Sequence, residues 1–209
     1  MVKLLKKLYN DSKGYNMNRK STFIYLIGLF LLSLISLNAE TIIENNEDEE
    51  TSMYESSYTS IAQKDCRTLE SDNLGSIQEC ESFAGMKVTV IEGDIRQSIT
   101  LSRDDKQYEL NFWNTVSYGF SSLGLELEWR YLHNQFDNPV GIIVRLEVNE
   151  DEDDSEKVTS YLVVSKITEK EICVVGKVAP QKNQNEAARE MVEQSNKMSC
   201  ISTLKLKLN

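Results

Sequence analysis

Polar and apolar residues alternate along two neighbouring stretches of the chain, residues 125–131 and residues 140–148. In the first stretch, leucine, tryptophan and tyrosine alternate with glutamate and arginine; in the second, valine, isoleucine or leucine recurs at alternate positions. Residues 134–139 between them are rich in residue types that favour turns. Alternation with a period of two on both sides of a polar turn predicts an antiparallel hairpin with one buried face.

The same period predicts the register of this hairpin, because a slip of one residue would turn every apolar side chain to the solvent. We expect apolar residues to face each other on the buried side and opposite charges to face each other outside. The predicted pairs are Trp129–Ile142, Leu127–Val144 and, on the outer face, Glu126–Arg145.

Further strands are predicted where β-branched residues are concentrated. Residues 88–101 hold two such runs on either side of Gly93-Asp94, a turn dipeptide, which indicates a second hairpin. Residues 161–167 and 172–178 are more continuously apolar, a pattern typical of central strands.

The last predicted element is a helix at residues 183–198, where good helix formers dominate. Its small and apolar residues recur on one helical face: Ala187, Ala188, Met191, Val192 and Ser195. Residues 61–70 are expected to form a short helix or turn, and residues 108–124 a strand followed by an aromatic-rich loop. The fold class is therefore α+β, an antiparallel β-rich domain of about five to seven strands with a C-terminal amphipathic helix.

Export is predicted by an uncharged, mostly apolar run at residues 23–37. Basic residues at 19–20 precede the run and Ala39 follows it, so the segment has the three parts of a signal peptide. We expect translation to start at Met17 and cleavage to leave Glu40 as the first mature residue. The run is shorter than the ~20 residues that span a bilayer. The alternative is that the segment stays uncleaved as an anchor, in which case membrane contact is expected through this segment alone. The predicted location is periplasmic or secreted.

The charge of the chain is concentrated after this segment. Residues 40–57 contain seven acidic residues and no basic one, which predicts a disordered linker before a single globular domain at residues 58–206. The net charge is −10; residues 1–39 hold six basic residues and one acidic residue, so removing their +5 leaves −15. Such a chain repels nucleic acid, and charge favours a basic protein as partner. Alternatively, the charge only keeps the domain soluble.

Four cysteines, Cys66, Cys80, Cys173 and Cys200, form an even set, which predicts two disulfide bonds in an exported chain. The absence of a Cys-x-x-Cys pair argues against a redox motif or a zinc site. Four cysteines allow three pairings, and spacing alone does not choose among them. We favour Cys66–Cys80, joined across a turn, and Cys173–Cys200, joined when the C-terminal helix returns the chain to a strand.

Several short motifs occur in a distinctive order along the domain. They are Tyr58-Thr59-Ser60, Cys66 followed by Leu69-Glu70, Cys80, Leu127-Glu128-Trp129-Arg130, the strand Val163 to Lys166, Cys173, a helix rich in alanine and arginine, and Cys200. This order resembles a family of uncharacterised exported bacterial proteins over about residues 58–200. The resemblance implies no activity and no functional residue. The acidic loop at 149–156 is this chain's own elaboration.

Four features of the sequence bear on catalysis or ligand binding. His133 is the only histidine and has no nucleophile near it in sequence, so a structural role is expected. Residues 119–124 lack the glycine that a nucleophile elbow places two residues after its serine. Residues 151–156 lack the glycine of an EF-hand loop, which favours a solvated acidic loop over a calcium site. The aromatic residues of 108–120 are expected in the core rather than in a binding groove.

These observations predict a non-enzymatic exported protein, a periplasmic binding or envelope-associated domain, without catalytic residues, cofactor or metal. The alternative is a secreted effector or inhibitor that binds a basic protein, such as a lysozyme-like enzyme, through its negative charge. Loss of binding with added salt would distinguish the second class from the first, because salt screens exposed charges.

Overall fold

A computed structural model describes residues 53–202, except residues 152 and 155. The predicted start at Met17, the signal segment, the Glu40 terminus and residues 40–52 of the acidic linker lie outside the described residues. Residues 203–206, at the end of the predicted domain, lie outside them as well.

The described chain contains ten strands and two α-helices, together with short 3-10 turns at Gln63–Asp65 and Ser195–Lys197. The strands are β1 Tyr54–Ser60, β2 Arg67–Ser71, β3 Gly75–Phe83, β4 Met86–Gly93, β5 Arg96–Arg103, β6 Lys106–Glu109, β7 Phe120–Leu132, β8 Pro139–Asn149, β9 Val158–Ile167 and β10 Ile172–Val178. The helices are α1 Phe112–Thr115 and α2 Gln184–Gln194. The α+β class is confirmed, with more strands than the five to seven predicted.

The strands form two antiparallel groups. The long-strand half has the order β10-β9-β8-β7-β1, and the meander half has the order β6-β5-β4-β3-β2. A single parallel pairing, between Arg96 of β5 and Ser121 of β7, joins the two halves into one sheet. The sheet folds over at this junction, so that the inner faces of its two halves pack against each other.

Trp129 lies at the centre of the core between the two halves. Its side chain is fully buried and stacks on Phe83 of the meander half, with 5.0 Å between ring centroids. Its indole N–H donates a hydrogen bond to Thr59 Oγ1 of β1 at 2.9 Å, so burial leaves no polar atom of the ring unpaired. Trp129 therefore connects β1 and β7 of the long-strand half with β3 of the meander half.

The β7–β8 hairpin confirms the two apolar pairs of the predicted register. Leu127 pairs with Val144 and Trp129 with Ile142. The predicted pair of Glu126 and Arg145 is wrong, because β7 bulges between Leu123 and Leu127 and its ladder to β8 is interrupted there. Glu126 pairs instead with Ser60 of β1.

Strand β1 corrects the predicted boundary of the domain. The acidic linker was expected to extend to residue 57, but regular pairing with β7 begins at Tyr54. Within residues 61–70, the expected short helix or turn is present as the 3-10 turn Gln63–Asp65 before Cys66, whereas β2 begins unpredicted at Arg67. These strands are rich in serine, threonine and glutamate, so no apolar alternation marks them in the sequence.

Helix α2 covers the outer face of β8, β9 and β10, as the predicted apolar stripe requires. Ala188, Val192 and Ser195 are buried, and Val192 packs in a second apolar cluster with Ile143 and Val164 of the sheet. The long-strand half is thus covered on both faces, by the core inside and by the helix outside.

Both predicted disulfides are present. Cys66–Cys80 links the segment after β1 to β3, with 4.3 Å between Cα atoms. Cys173–Cys200 links β10 to the segment after α2, with 5.6 Å between Cα atoms. The second bond holds the end of the helical segment on the sheet.

Candidate binding groove

A groove of about 620 Å³ lies on the outer face of the long-strand half, between strand β1 and helix α2. Its floor contains the buried side chains of Ile143 and Leu162. Tyr58 of β1 lines one side and Arg189 of α2 the other. The volume lies within the range of ligand sites, about 300–1,000 Å³.

The bulge in β7 shapes one end of the groove. Gly124 lies against Arg145 of β8, and a Cβ atom on Gly124 would come within 2.9 Å of the Arg145 Cβ. The carbonyl of Leu125 accepts a hydrogen bond from the N–H of Ile61, which fixes the bulge to the end of β1. The Leu125 side chain is 70% exposed at the rim of the groove. Bulges commonly redirect side chains beside functional sites in this way.

Arg145 lies half-buried in the groove, with one side of its guanidinium held in place. Its Nη1 donates to Ser160 Oγ at 2.6 Å and to Gln184 Oε1 at 3.4 Å. Ser160 in turn donates to Glu147 Oε1 at 2.8 Å. Among the described residues, Nε and Nη2 of Arg145 have no hydrogen-bond partner. These two groups are therefore available to a ligand in the groove.

A chain of charged and hydroxyl groups connects helix α2 to β7 and β1 in the middle of the groove. Arg189 Nε donates to Glu128 Oε1 at 2.7 Å, and Arg189 Nη2 donates to the hydroxyl of Tyr58 at 3.0 Å. Ser56 Oγ donates to the same Glu128 oxygen at 2.6 Å. The hydrogen bond to Glu128 raises the pKa of Arg189 further above its ordinary value. Arg189 therefore stays charged at every physiological pH.

Arg130 extends this chain beyond the groove. It is 5% exposed, donates to Ser56 Oγ at 2.8 Å and forms an ion pair with Glu193 of α2. Its Nε is buried without a hydrogen-bond partner among the described residues. Breaking the pair would leave a buried cation, so the position of α2 depends on it.

The groove offers recognition chemistry of both signs. The carboxylate of Glu126 and the ammonium of Lys64 line it without a hydrogen bond to any described residue. The hydroxyls that line it are already engaged, since Ser60 donates to Asp65 at 2.7 Å and Tyr58 accepts from Arg189. The arrangement can bind a polar ligand with an apolar portion.

His133 and the serines of the 119–124 segment lie apart in the structure. His133 is exposed at the β7–β8 turn, where its Nδ1 contacts Glu55 Oε1. Ser121 lies at the other end of β7, and its buried Oγ has no hydrogen-bond partner among the described residues. Histidine and serine therefore form no catalytic pair, and neither lines the groove.

Two residues of the acidic loop, Glu150 and Asp151, form hydrogen bonds with side chains outside the loop. Asp151 pairs with Lys157 at 3.0 Å, and this hydrogen bond lowers the pKa of Asp151. Glu150 accepts hydrogen bonds from Tyr161 at 2.9 Å and from Ser117 at 3.2 Å. The pKa of Tyr161 is raised, mainly by burial and to a smaller extent by its hydrogen bond to Glu150.

The aromatic residues of 108–120 divide between core and surface. Phe112 is fully buried, as expected, whereas Tyr118 and Phe120 are exposed. Arg96 lies over the Phe120 ring at 4.8 Å and donates to the carbonyl of Tyr118. The prediction of a core role is correct for Phe112 and wrong for Tyr118 and Phe120, which lie at the end of the sheet.

The Cys173–Cys200 disulfide lies beside a buried cation. The Lys166 ammonium contacts Glu171 Oε1 at 2.6 Å and donates to the carbonyl of Met198 at 2.8 Å. The other Glu171 oxygen is 3.3 Å from Cys200 Sγ. Although these acidic and sulfur atoms converge, the sulfurs are bonded to each other, and a metal ion requires thiolates. The cluster anchors the segment after α2.

Comparisons with protein families, with curated proteins and with solved structures find no match to this chain. Within the described residues, no helix is long and apolar enough to cross a membrane.

The groove was not predicted from the sequence. Its carboxylate Glu128 belongs to the alternating run of β7, where outward charges are ordinary, and its cations Arg145 and Arg189 are single residues within a strand and a helix. One signal was available: the regular alternation that begins at Leu125 is preceded by Gly124, which is where the bulge forms. Strand β1, which makes one wall, has no apolar pattern.

Proposed function

We propose that this chain is an exported, non-enzymatic binding domain of the periplasm or of the secreted fraction, and that the groove between β1 and α2 holds its ligand. The observation that carries the proposal is the groove itself, a concave surface with an apolar floor and charged groups fixed by hydrogen bonds. Sites of this kind, with a few converging polar groups, are the usual places for small ligands.

Export is supported by the chemistry of the folded domain. The two disulfides are consistent with an oxidising location outside the cytoplasm. Together with the apolar run at residues 23–37, they favour a periplasmic or secreted location. Membership of a family of uncharacterised exported bacterial proteins is part of this proposal and rests on the order of motifs alone.

Chemical-shift mapping tests the location of the site. The oxidised, exported chain is titrated with a panel of short peptides, envelope saccharides and nucleotides while its backbone amides are followed by NMR. We expect at least one class to shift amides of Tyr58, Arg145 and Arg189 together. Shifts confined to other surfaces, or no shift with any class, would contradict the proposed site.

A second candidate function, a secreted effector or inhibitor of a basic protein, is favoured by the end of the sheet opposite the β7–β8 turn. Four large apolar or aromatic side chains are exposed there: Leu74, Ile95, Tyr118 and Phe120. Backbone hydrogen bonds join their segments, from Asp94 to the carbonyl of Leu74 and from Ser121 to that of Ile95. The described residues of the acidic loop, 149–151, 153, 154 and 156, lie at the same end, since Asn149 pairs with Phe120.

Lysozyme, a basic protein, serves as the probe for this second candidate. We expect binding that weakens steeply with added salt and that is reduced by Ile95→Asp. Binding that is insensitive to salt, or that survives Ile95→Asp unchanged, would contradict docking of a basic protein at this end of the sheet.

A further inference from the structure

We infer that the groove recognises the C-terminal carboxylate of a short peptide, and that Arg145 is the residue that binds it. The inference rests on the proposed function, because it assumes that the groove is the binding site. It goes further by naming the chemical class of the ligand and the residue that selects it.

The hydrogen bonds of Arg145 point to a carboxylate. One terminal nitrogen, Nη1, is already held by Ser160 and Gln184, which fixes the plane of the guanidinium. Nε and Nη2 then remain side by side, without a hydrogen-bond partner among the described residues. Two adjacent N–H groups of a guanidinium match the two oxygens of a carboxylate in a bidentate pair.

The other guanidinium of the groove is not equivalent. Arg189 places Nε and Nη2 on Glu128 and its Nη2 also on Tyr58, so the same edge of this side chain is already occupied by a carboxylate. An incoming carboxylate would have to displace Glu128, a partner that also accepts from Ser56. Of the two guanidinium groups, Arg145 is therefore the one open to an anion, and Arg189 has a structural role.

The surroundings of Arg145 favour a peptide over a free anion or a fatty acid. Ile143 and Leu162 supply an apolar floor beside the guanidinium, suited to the last side chain of a peptide. Asn185 and Glu126 add an amide and a carboxylate along the groove, which suit peptide N–H and C=O groups. A fatty acid needs a closed apolar tunnel, and this groove is lined by charged groups along its length.

Gly124 makes the site possible by leaving space next to Arg145. A side chain at this position would meet the arginine Cβ at 2.9 Å and displace it from the groove. The bulge that contains Gly124 also carries Leu125 to the rim, where it can cover an apolar peptide residue. The same three-residue irregularity thus positions the cation and part of the apolar contact.

The test compares two peptide pools of equal composition, tetrapeptides with apolar last residues that end either in a free carboxylate or in an amide. Binding is measured by NMR titration of the oxidised, exported chain and of two variants, Arg145→Gln and Arg103→Gln. Arg103 is the matched control, because it is an arginine of the meander half that donates to the carbonyls of Thr168 and Glu169. Inorganic phosphate is titrated in parallel.

We expect the free-acid pool to shift the groove amides and the amide pool to bind about ten- to a hundredfold more weakly, the factor of one charge-assisted pair. Arg145→Gln should remove this difference between the pools, and Arg103→Gln should keep it. Equal binding of both pools, or tighter binding of phosphate than of the peptide acids, would overturn the inference while leaving the groove as a binding site. If neither these pools nor the wider panel shifts groove amides, the proposed function fails as well.

Discussion

The two halves of the sheet share one core but differ on their outer faces. The long-strand half is covered by α2, and the ion pairs between helix and sheet, such as Arg130–Glu193, are largely withdrawn from water. Among the described residues, no helix packs on the outer face of the meander half, and its ion pair Arg67–Glu79 is exposed to solvent. Three of its four turns, at residues 84–85, 94–95 and 104–105, are two-residue turns with positive φ angles, which keep successive strands adjacent.

This difference separates two tasks within one small domain. The meander half supplies one wall of the core and needs only local connections. The long-strand half supplies the other wall and, on its outer face, a groove built from three non-adjacent segments: β1, the β7 bulge and α2. Changes on this outer face should therefore affect stability and ligand binding together. Changes on the outer face of the meander half, which we call the bare face, should affect neither strongly.

The largest expected effect is at the contact between the halves. Trp129→Ala should lower the free energy of unfolding by about 3–5 kcal/mol, because it empties a fully buried site that touches both halves. Trp113→Ala, at a half-buried position, should cost less. Urea unfolding measures both, and equal costs would contradict the central position of Trp129.

The disulfides should come next, with effects of similar size in opposite regions. Removing Cys66–Cys80, which spans 14 residues, should cost about 3 kcal/mol by the chain-entropy relation, and removing Cys173–Cys200, which spans 27, slightly more. Paired serine substitutions followed by urea unfolding give the two values. Hydrogen exchange should show faster exchange in α2 only in the Cys173–Cys200 variant; the same pattern in both would contradict the anchoring role.

The ion pairs sharpen the comparison most directly. Glu193→Gln should destabilise by about 1–3 kcal/mol, because it leaves the buried Arg130 without its countercharge. Glu79→Gln, its counterpart on the bare face, should change stability by only ~0–1 kcal/mol. Thermal unfolding of the two variants measures both losses of stability. A larger loss from Glu79→Gln than from Glu193→Gln would contradict the claim that the covered ion pair matters more.

Replacing a strained residue in the β4–β5 turn with glycine should increase the stability of the protein. Ile95 has φ +58°, a left-handed conformation that is strained for a β-branched residue, and it is 67% exposed. Ile95→Gly should stabilise by about 1 kcal/mol. Gly85→Ala, at φ +74° in the equivalent β3–β4 turn, should have the opposite sign. Destabilisation by Ile95→Gly would mean that the side chain makes a contact worth more than its strain.

The smallest effect concerns pH. Burial and Glu150 raise the pKa of Tyr161 above 10.0, so the native state keeps this proton after the unfolded state has lost it. Stability should therefore be fully present below pH 10.0 and fall as the pH rises above it. Tyr161→Phe should weaken this alkaline decline, as measured by denaturant unfolding across that range. An unchanged slope would show that Tyr161 does not contribute.

Much of this fold could be predicted where a pattern is local. The β7–β8 hairpin, β9, β10 and α2 follow from apolar periodicity, and the cysteine pairing that a turn and a returning helix favoured among three alternatives is the one present. Strand β1 could not be predicted, because Tyr54–Ser60 has little apolar alternation and acquires its structure by pairing with β7. The pair of Glu126 and Arg145 failed because one bulge changes the register locally.

The groove is harder to predict than the fold for a physical reason. Arg145 and Arg189 are 44 positions apart, the difference between their residue numbers, and only the packing of α2 over β8 brings them to one surface. The side chains that matter are ordinary charged residues, each expected on an outer face. Their function depends on which hydrogen bonds remain open, and this is a property of the folded chain.

The central claim is that ligand binding belongs to the long-strand half, and two exposed leucines test it directly. Leu125 lines the groove, and Leu74 lies at a turn of the meander half. The dissociation constant of the free-acid peptide pool is measured for Leu125→Glu and Leu74→Glu by NMR titration. We expect the first to weaken binding by about tenfold or more, as loss of a groove contact should, and the second to leave it unchanged. Equal effects, or a larger effect from Leu74→Glu, would contradict the assignment.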